Sequence, residues 1–309
     1  MSAFLGALLI VLAGAAHAFP DRAIKLYVPS GPGVPPDIVA RLVAAPLAAR
    51  LGQPVVVENR PGTHAAVSVA EALADGHTLA LAHTGFAIAP AIAARPGYDV
   101  VKSFAPIGRI ATAPLVLLVH ADVPARTLDE LIALARTREL HFVAPNGTLP
   151  QVAGYLLMSS GGARLTAVPY KTASLAYPDL IAGRVEIMFD AIGAHHANLQ
   201  AGKLRALAVA GPARLEAQPD LPTTREAGLP ELQAIAFFGL VAPAGTPAAV
   251  VARLAEALAD SVRTPETQAA LRRQGLEPGA TSALSFAEFI AAEAARWAAT
   301  VRAVGLKPD

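Results

Sequence analysis

The chain has 309 residues, of which 25 are Lys or Arg and 24 are Asp or Glu, so its formal net charge is +1. A nucleic-acid binder needs a basic face to neutralise phosphates, and this near balance argues against that class of protein. Hydrophobic residues make up 54% of the chain and charged residues 16%, which supports a large core and is not typical of a disordered chain. Cysteine is absent, which excludes disulfides, thiolate catalysis and cysteine-based metal sites.

The first eighteen residues are predicted to be a cleavable leader outside the fold. Residues 3–16 form an uncharged apolar run that is shorter than the roughly 20 residues needed to span a bilayer. Ala16-His17-Ala18 matches an A-x-A cleavage site, so the sequence predicts a signal peptide over 1–18, although no Lys or Arg precedes the run. An uncleaved membrane anchor is the alternative. Because no cysteine follows the leader, a lipid anchor is not expected.

After residue 19, short apolar strands alternate with amphipathic helices. The strand Ile24–Val28 leads through a Pro/Gly loop to Asp37, which is predicted to be the N-cap of a helix. Pro46 predicts a kink in this helix, and Gly52 follows it where a left-handed C-terminal residue is expected. Such alternation implies βαβ units around a mostly parallel sheet. Further strands are predicted at 55–57, 78–82, 115–119, 140–144, 165–168, 185–189 and 204–210, with a second helix over 65–74.

Helix starts and domain boundaries are predicted from local patterns. Three Ser/Thr-x-x-Glu patterns, at 127–130, 223–226 and 285–288, are typical of capping boxes. At about 100 to 200 residues per domain, the chain is expected to form two domains. The turn 120–127 and the extended segment 237–242 are the candidate boundaries, where the chain would cross to a second domain and return.

The loops that follow strands are the candidate binding sites, because ligands of open parallel sheets bind beyond the carboxyl ends of the strands. These loops contain small residues and hydroxyls beside helix starts, with Lys171 as their one cation. Amides at a helix N-terminus hold an anion such as a carboxylate without a buried Arg. Ordinary connections between strand and helix are the alternative for each loop. The loops are 29–37, 83–86, 145–148, 169–172 and 189–192.

Motifs of common enzyme classes are not found in the sequence. Pro36 stands where a dinucleotide-binding fingerprint would need Gly, and the phosphate-loop, zinc-protease and nucleophile-elbow patterns are missing. His195 and His196 with Asp190 suggest a metal site, but adjacent helical residues point about 100° apart, and exposed helix histidines are the alternative. A Ser-His-Asp triad is defined by geometry, so a hydrolase stays open. No metal or cofactor is predicted.

Several separated motifs are shared with a known family of binding proteins. They are IKLYVP at 24–29, LGQPVVVENRPG at 51–62, DGHTL at 75–79, VPYK at 168–171, VEIMFD at 185–190, AGKLRALAV at 201–209 and FGLVAPAGTP at 238–247. From about residue 19 onward the chain resembles the Bug proteins, the extracytoplasmic solute receptors of tripartite tricarboxylate transporters. This resemblance implies a type II-like, two-domain α/β periplasmic binding protein with two crossover segments and a ligand cleft between the domains. The implied domains are 19–121 plus 239–309, and 122–238.

The resemblance also implies a function. The protein would capture a small carboxylate in the periplasm, largely through main-chain amides and ordered water, and deliver it to a membrane permease without catalysing a reaction. A monomer without a nucleic-acid partner is expected. A receptor that feeds a sensor kinase, a secreted hydrolase and an envelope structural protein are the alternatives. The implied ligand-binding residues are Ser30, Gly31, Gly33, Val34, Asp37, Thr84, Gly85, Asn146, Gly147, Thr148, Tyr170 and Asp190.

Departures from the family pattern bear on the ligand. Pro35 and Pro36 stand before Asp37 where the family usually has a Gly-Gly pair, and each proline removes an amide donor. Asp190 is expected to select among ligands, because a carboxylate accepts from an amine or hydroxyl but repels a second anionic group. Its alternative role is the N-cap of the helix that begins near Ala191. Because the lost amide donors reduce the contacts to an anion, we hypothesise a monocarboxylate, or a dicarboxylate with one poorly held end.

Overall fold

The computed structural model describes residues 19–145, 147–216, 218–303 and 305. The predicted leader over 1–18 and the predicted ligand-binding residue Asn146 lie outside the described residues. Within the described ranges, no helix combines the length and the apolar character that a membrane crossing requires.

The first sheet has six strands in the order β11-β4-β10-β3-β1-β2. Strands β1, β2 and β3 are parallel, while β10 runs antiparallel between β3 and β4. The strands are β1 (Ile24–Val28), β2 (Val55–Asn59), β3 (Thr78–His83), β4 (Phe104–Pro114), β10 (Ile235–Pro243) and β11 (Glu277–Pro278). The helices joined to them are α1 (Pro35–Leu51), α2 (His64–Ala70), α3 (Thr84–Ile92), α8 (Ala248–Arg263), α9 (Pro265–Arg273) and α10 (Ala283–Ala303).

The second sheet has five strands in the order β7-β6-β8-β5-β9. Strand β6 is parallel to β7 and β8, and β5 is antiparallel to β8 and β9. The strands are β5 (Val116–His120), β6 (Leu140–Pro145), β7 (Leu165–Tyr170), β8 (Ile187–Asp190) and β9 (Leu204–Val209). The helices are α4 (Leu128–Thr137), α5 (Leu149–Gly161), α6 (Ala173–Ile181), a 3-10 turn (Ile192–His195) and α7 (His196–Gln200).

Two segments carry the chain between the sheets. Strand β4 ends at Pro114 in the first sheet, and β5 begins at Val116 in the second. The chain returns after β9, and β10 begins in the first sheet at Ile235. Both sheet changes therefore lie a few residues before the domain limits predicted after residues 121 and 238.

The helix α5 packs closely against the second sheet because it contains a glycine. A Cβ on Gly154 would lie only 2.1 Å from Cε2 of Phe142, which is fully buried in β6. Against the first sheet, α10 buries Phe286 and Trp297, and the Trp297 indole N–H donates to Glu293 over 2.9 Å. These contacts give each sheet an apolar layer of helix against it.

The predicted capping boxes had three different outcomes. The amide of Glu130 donates to the Thr127 hydroxyl at the start of α4, as predicted. The bonds within 223–226 are reciprocal, but they close a turn and no helix follows. The third prediction was wrong, because α10 begins at Ala283 and the Ser282 hydroxyl accepts from the Ser285 amide over 3.1 Å. An equivalent hydroxyl one turn earlier lets this helix start sooner.

Candidate functional site

A cavity of about 210 Å³ lies between elements of the two sheets, at the carboxyl ends of their parallel strands. The first sheet contributes the start of α1 and the turn from β3 into α3, and the second contributes the start of α5 and the end of β8. The wall is completed by the segment before β11 and by β4 and β10, the two strands at which the chain leaves and re-enters the first sheet. We call β4 and β10 the crossing strands. The lining residues are Pro35, Pro36, Ile38, His83, Thr84, Gly85, Ala113, Leu115, Gly147, Thr148, Leu149, Pro150, Asp190, Ala191, Ala236, Phe237, Phe238, Gln274 and Leu276.

Three helix N-termini reach this cavity, those of α1, α3 and α5. The first-turn amides of a helix have no acceptor within the helix, and the dipole makes this end favourable for an anion. Helix α1 begins with Pro35 and Pro36, which have no N–H to donate. Helix α5 has Pro150 at its second position but keeps the Leu149 amide at its first, and the first turn of α3 contains no proline. The starts of α3 and α5, which come from opposite sides of the cavity, are therefore the better anion sites.

His83 and Thr84 fix the start of α3. His83 is the extended N-cap residue, and its Nδ1 accepts from the Gly85 amide over 3.3 Å. The buried Thr84 hydroxyl accepts from the Phe237 amide over 3.0 Å, which ties α3 to β10. Burial of the imidazole lowers the pKa of His83 to about 4, so the ring is neutral at pH 7.

Asp190 ends β8 at the cavity wall and is held by three donors. Its Oδ1 accepts from the Ala191 amide over 2.8 Å, and its Oδ2 accepts from the Tyr177 hydroxyl over 2.7 Å. Nε2 of the buried His195 lies 2.9 Å from the same Oδ2. Burial, together with the negative charge of Asp190, raises the pKa of the Tyr177 phenol. The carboxylate is thus fixed in place and its charge borders the cavity.

The charge and polarity of the cavity are unusual for an anion site. Among its lining residues, all of which the structure describes, none is Lys or Arg and Asp190 is the one carboxylate. Much of the wall is apolar, including Leu115, Leu149, Phe238 and Leu276. The arrangement can hold an anionic group through N–H donors at one point and an apolar body elsewhere.

Asp37 organises the first loop instead of lining the cavity. Its carboxylate accepts from the Gly33 amide and the Asn59 amide group, each over 2.9 Å, and from Arg41 Nε over 3.0 Å. These donors, led by Arg41, lower the pKa of Asp37 to about 2. The N-cap of α1 is Val34, so the prediction of Asp37 as N-cap was wrong. The carboxylate instead reaches back from the helix to the loop.

The remaining predicted residues divide into two groups. Thr84, Gly85, Gly147, Thr148 and Asp190 line the cavity. In the second group the Tyr170 hydroxyl donates to Asp179 over 2.7 Å, and burial, with this bond, raises the pKa of Tyr170 to about 12. The predicted residues that do not line the cavity are Ser30, Gly31, Gly33, Val34, Asp37 and Tyr170.

Sequence reasoning missed several lining residues. Gln274 and Leu276 come from the segment before β11, and Phe238 comes from a crossing strand. No local motif marks them, because their place depends on how distant strands pair. His83 did carry a signal, since a His two residues before a Gly at the end of a strand is positioned to cap the next helix.

The residues considered for a metal site or for catalysis have other surroundings in the fold. No group of three metal-ligating side chains occurs among the described residues. His195 is buried, contrary to the expectation of exposed histidines, whereas its neighbour His196 is exposed. The hydroxyl of Ser30, the serine of the first loop, donates to the Gly31 carbonyl over 3.3 Å.

A second cavity of about 490 Å³ lies on the other side of the crossing strands. Thr112 and Pro114 of β4 line it, whereas Ala113 between them lines the first cavity. Of its charged groups, Arg296 and Glu293 pair with each other over 2.8 Å. Because none of the residues that line this second cavity is at the carboxyl end of a parallel strand, the first cavity is the better candidate for the ligand site.

Comparison with known proteins identifies the family of the chain. Residues 39–306 match the model of the tripartite tricarboxylate transporter family receptor. The structure of the periplasmic binding protein BugD superposes with a TM-score of 0.83 at 30% identity, over 94% of this chain and all of that one. The predicted α/β fold is thereby confirmed.

Two similar structures hold carboxylates. An R. palustris protein solved with adipate has a TM-score of 0.84 and 33% identity, and the match covers 94% of this chain and 100% of that one. MatC from Rhodopseudomonas palustris, with bound malate, has a TM-score of 0.81 and 33% identity, covering 92% of this chain and 100% of that one. Both relatives are matched across their whole length.

Proposed function

Because the chain belongs to the tripartite tricarboxylate transporter receptor family, whose members are solute-binding proteins and not enzymes, we propose that it delivers a small carboxylate to the permease of such a transporter. The observation that carries this proposal is the meeting of the α3 and α5 N-termini in one cavity. Amides from opposite sides of a cleft favour its closed state once an anion joins them. Closure would present a recognisable state to the permease.

The ligand class follows from the cavity wall. A carboxylate at the helix starts can accept from first-turn amides other than the Gly85 amide, which His83 caps. The wall around Leu149 and Leu276 favours an apolar body. The adipate and malate bound by two relatives support a carboxylate as the anchoring group.

Asp190 is proposed to disfavour a second carboxylate. Its charge borders a cavity in which no lining residue is Lys or Arg, so a second anionic group would meet repulsion without compensation. Pro35 and Pro36 remove amides that could have held such a group at α1. The proposed ligand is a monocarboxylate, or a dicarboxylate with one poorly held end.

The proposal includes the cellular setting. Residues 1–18 would direct export to the periplasm and be removed there, and capture and delivery favour a monomer.

The change of sheet near Leu115 and Ala234 would be the hinge between two domains, refining the limits predicted from the sequence. In that case residues 116–120 would move with the second domain.

A thermal-shift screen tests this function. The protein, expressed with its own leader and purified from the periplasm, is heated with monocarboxylates, dicarboxylates, tricarboxylates and neutral amides at millimolar concentration. A ligand at about 100 times its Kd stabilises the folded state by roughly 2.7 kcal/mol, which raises Tm by several degrees. We expect stabilisation by carboxylates but not by the matching amides. Stabilisation only by amides, by tricarboxylates alone, or by nothing in the series contradicts the proposal.

A further inference from the structure

We propose that His83 anchors the ligand in this site by donating a hydrogen bond from its ring Nε2 to the carboxylate of the ligand. The inference rests on the proposed function, since it concerns the same cavity and the same anionic group. It goes beyond the proposed function by assigning a neutral side-chain donor in a site where mainly main-chain amides and ordered water were expected.

The position of the ring is built into the start of α3. A Cβ on Gly85 would lie 2.5 Å from Cε1 of His83 and 3.2 Å from its Nε2. Gly85 does not have a positive φ, so backbone conformation does not require a glycine here. The glycine is required because a side chain would occupy the space of the His83 ring. The imidazole therefore lies across the helix N-terminus, at the place where an anion would be held.

The hydrogen bonding of the ring fixes which nitrogen carries the proton. Nδ1 accepts from the Gly85 amide, so in the neutral ring the hydrogen is on Nε2. His83 lines the cavity, and within the described residues this bond to Gly85 is the one hydrogen bond that its side chain makes. A donor in a largely apolar cavity is costly unless it finds an acceptor, and a ligand carboxylate supplies one.

Capping alone does not explain a histidine here. Asn, Asp, Ser and Thr are the preferred N-cap residues, and Asn places an acceptor near the position of the imidazole Nδ1. The imidazole adds a second nitrogen beyond the cap. A neutral donor also suits a cavity that contains Asp190, because a Lys or Arg at the same place could pair with that carboxylate instead of the ligand.

Two substitutions separate the cap from the donor. His83→Asn keeps an acceptor for the Gly85 amide but has no group at the Nε2 position. His83→Gln places an amide N–H near the Nε2 position but does not keep the cap. With hexanoate as the probe in titration calorimetry, we expect the Asn variant to raise Kd about tenfold or more with an unchanged Tm. The Gln variant should stay within about threefold of the wild-type Kd and have a lower Tm.

The outcomes are distinct. Wild-type affinity for hexanoate in the Asn variant would overturn the role of His83 while leaving the proposed function standing. A wild-type protein that binds no carboxylate would overturn both. Should the Asn variant fail to fold, imidazole nitrogen NMR of the wild type provides the test. We expect the resonance of the proton bound to Nε2 to move downfield when hexanoate is added. If this resonance is unchanged although hexanoate is bound, the role of His83 as a hydrogen-bond donor to the ligand is overturned.

Discussion

The substitution Asp37→Asn tests whether this carboxylate holds the first loop or serves the ligand. The amide of Gly33, the side chain of Asn59 and Arg41 all donate to Asp37, whose side chain is buried. Together they lower its pKa from 3.8 to about 2. At 1.36 kcal/mol per pKa unit, and allowing for screening of the half-exposed Arg41, the ionised form stabilises the fold by about 2 kcal/mol.

This contribution has a defined pH window. The unfolded chain protonates Asp37 at its ordinary pKa near 3.8, whereas the folded chain holds the charge down to about pH 2. The stabilisation is therefore complete above about pH 4 and is lost as the pH falls towards 2. We expect the variant to be less stable than the wild type by about 2 kcal/mol at pH 7, with the difference shrinking between pH 4 and 2.

Urea unfolding followed by circular dichroism measures this difference. Asp122→Asn is the matched control, because the Asp122 side chain is 94% exposed. The control should unfold within about 0.5 kcal/mol of the wild type. Equal stability of the Asp37 variant and the wild type at pH 7 would refute the reasoning. A large loss of carboxylate affinity with unchanged stability would show that Asp37 serves the ligand instead.

Gly154, His83 and the predicted leader can each be tested separately. Gly154→Ala should lower the free energy of unfolding by about 1 to 3 kcal/mol, because its Cβ would overlap Phe142, whereas Gly161→Ala, whose nearest neighbour is 3.4 Å away, should not. Because folding lowers the pKa of His83 from 6.5 to about 4, the free energy of unfolding should decline as the pH falls through this range. Urea unfolding at several pH values should show a smaller decline for His83→Asn. Mass spectrometry of the exported protein should find Phe19 at its N-terminus, and a retained leader would contradict export by cleavage.

The alternating strands and helices could be predicted, but the longest strand could not. Strand β4 contains Pro106, Gly108 and Pro114, which indicate breaks in a strand when only the sequence is considered. In the fold, register shifts between β4 and β10 accommodate the irregular pairing. A Cβ on Gly108 would lie 2.9 Å from the Thr281 carbonyl, so the glycine permits a close approach by a distant segment. Such contacts are properties of the tertiary fold and have no local signature.

The candidate site also combines residues that could be predicted from the sequence with residues that could not. The loops at strand ends were identifiable because helix starts follow them, and Thr84, Gly147 and Asp190 do line the cavity. The orientation of Asp37 was not identifiable, since it depends on donors from the loop, from α1 and from β2 that converge only after folding. Leu276 lies in the wall because the following strand, β11, pairs with β4, which is distant in the sequence. Sequence periodicity does not predict which distant strands pair.

The most direct test of the account compares hexanoate with adipate by titration calorimetry on the wild-type protein and on Asp190→Asn. The two acids have six carbons each and differ in one terminal carboxylate. We predict that the wild type binds hexanoate more tightly, and that the Asn variant narrows the difference because the repulsion at the cavity wall is removed. Tighter binding of adipate by the wild type, or of a tricarboxylate over both, would contradict an apolar cavity that anchors a single carboxylate.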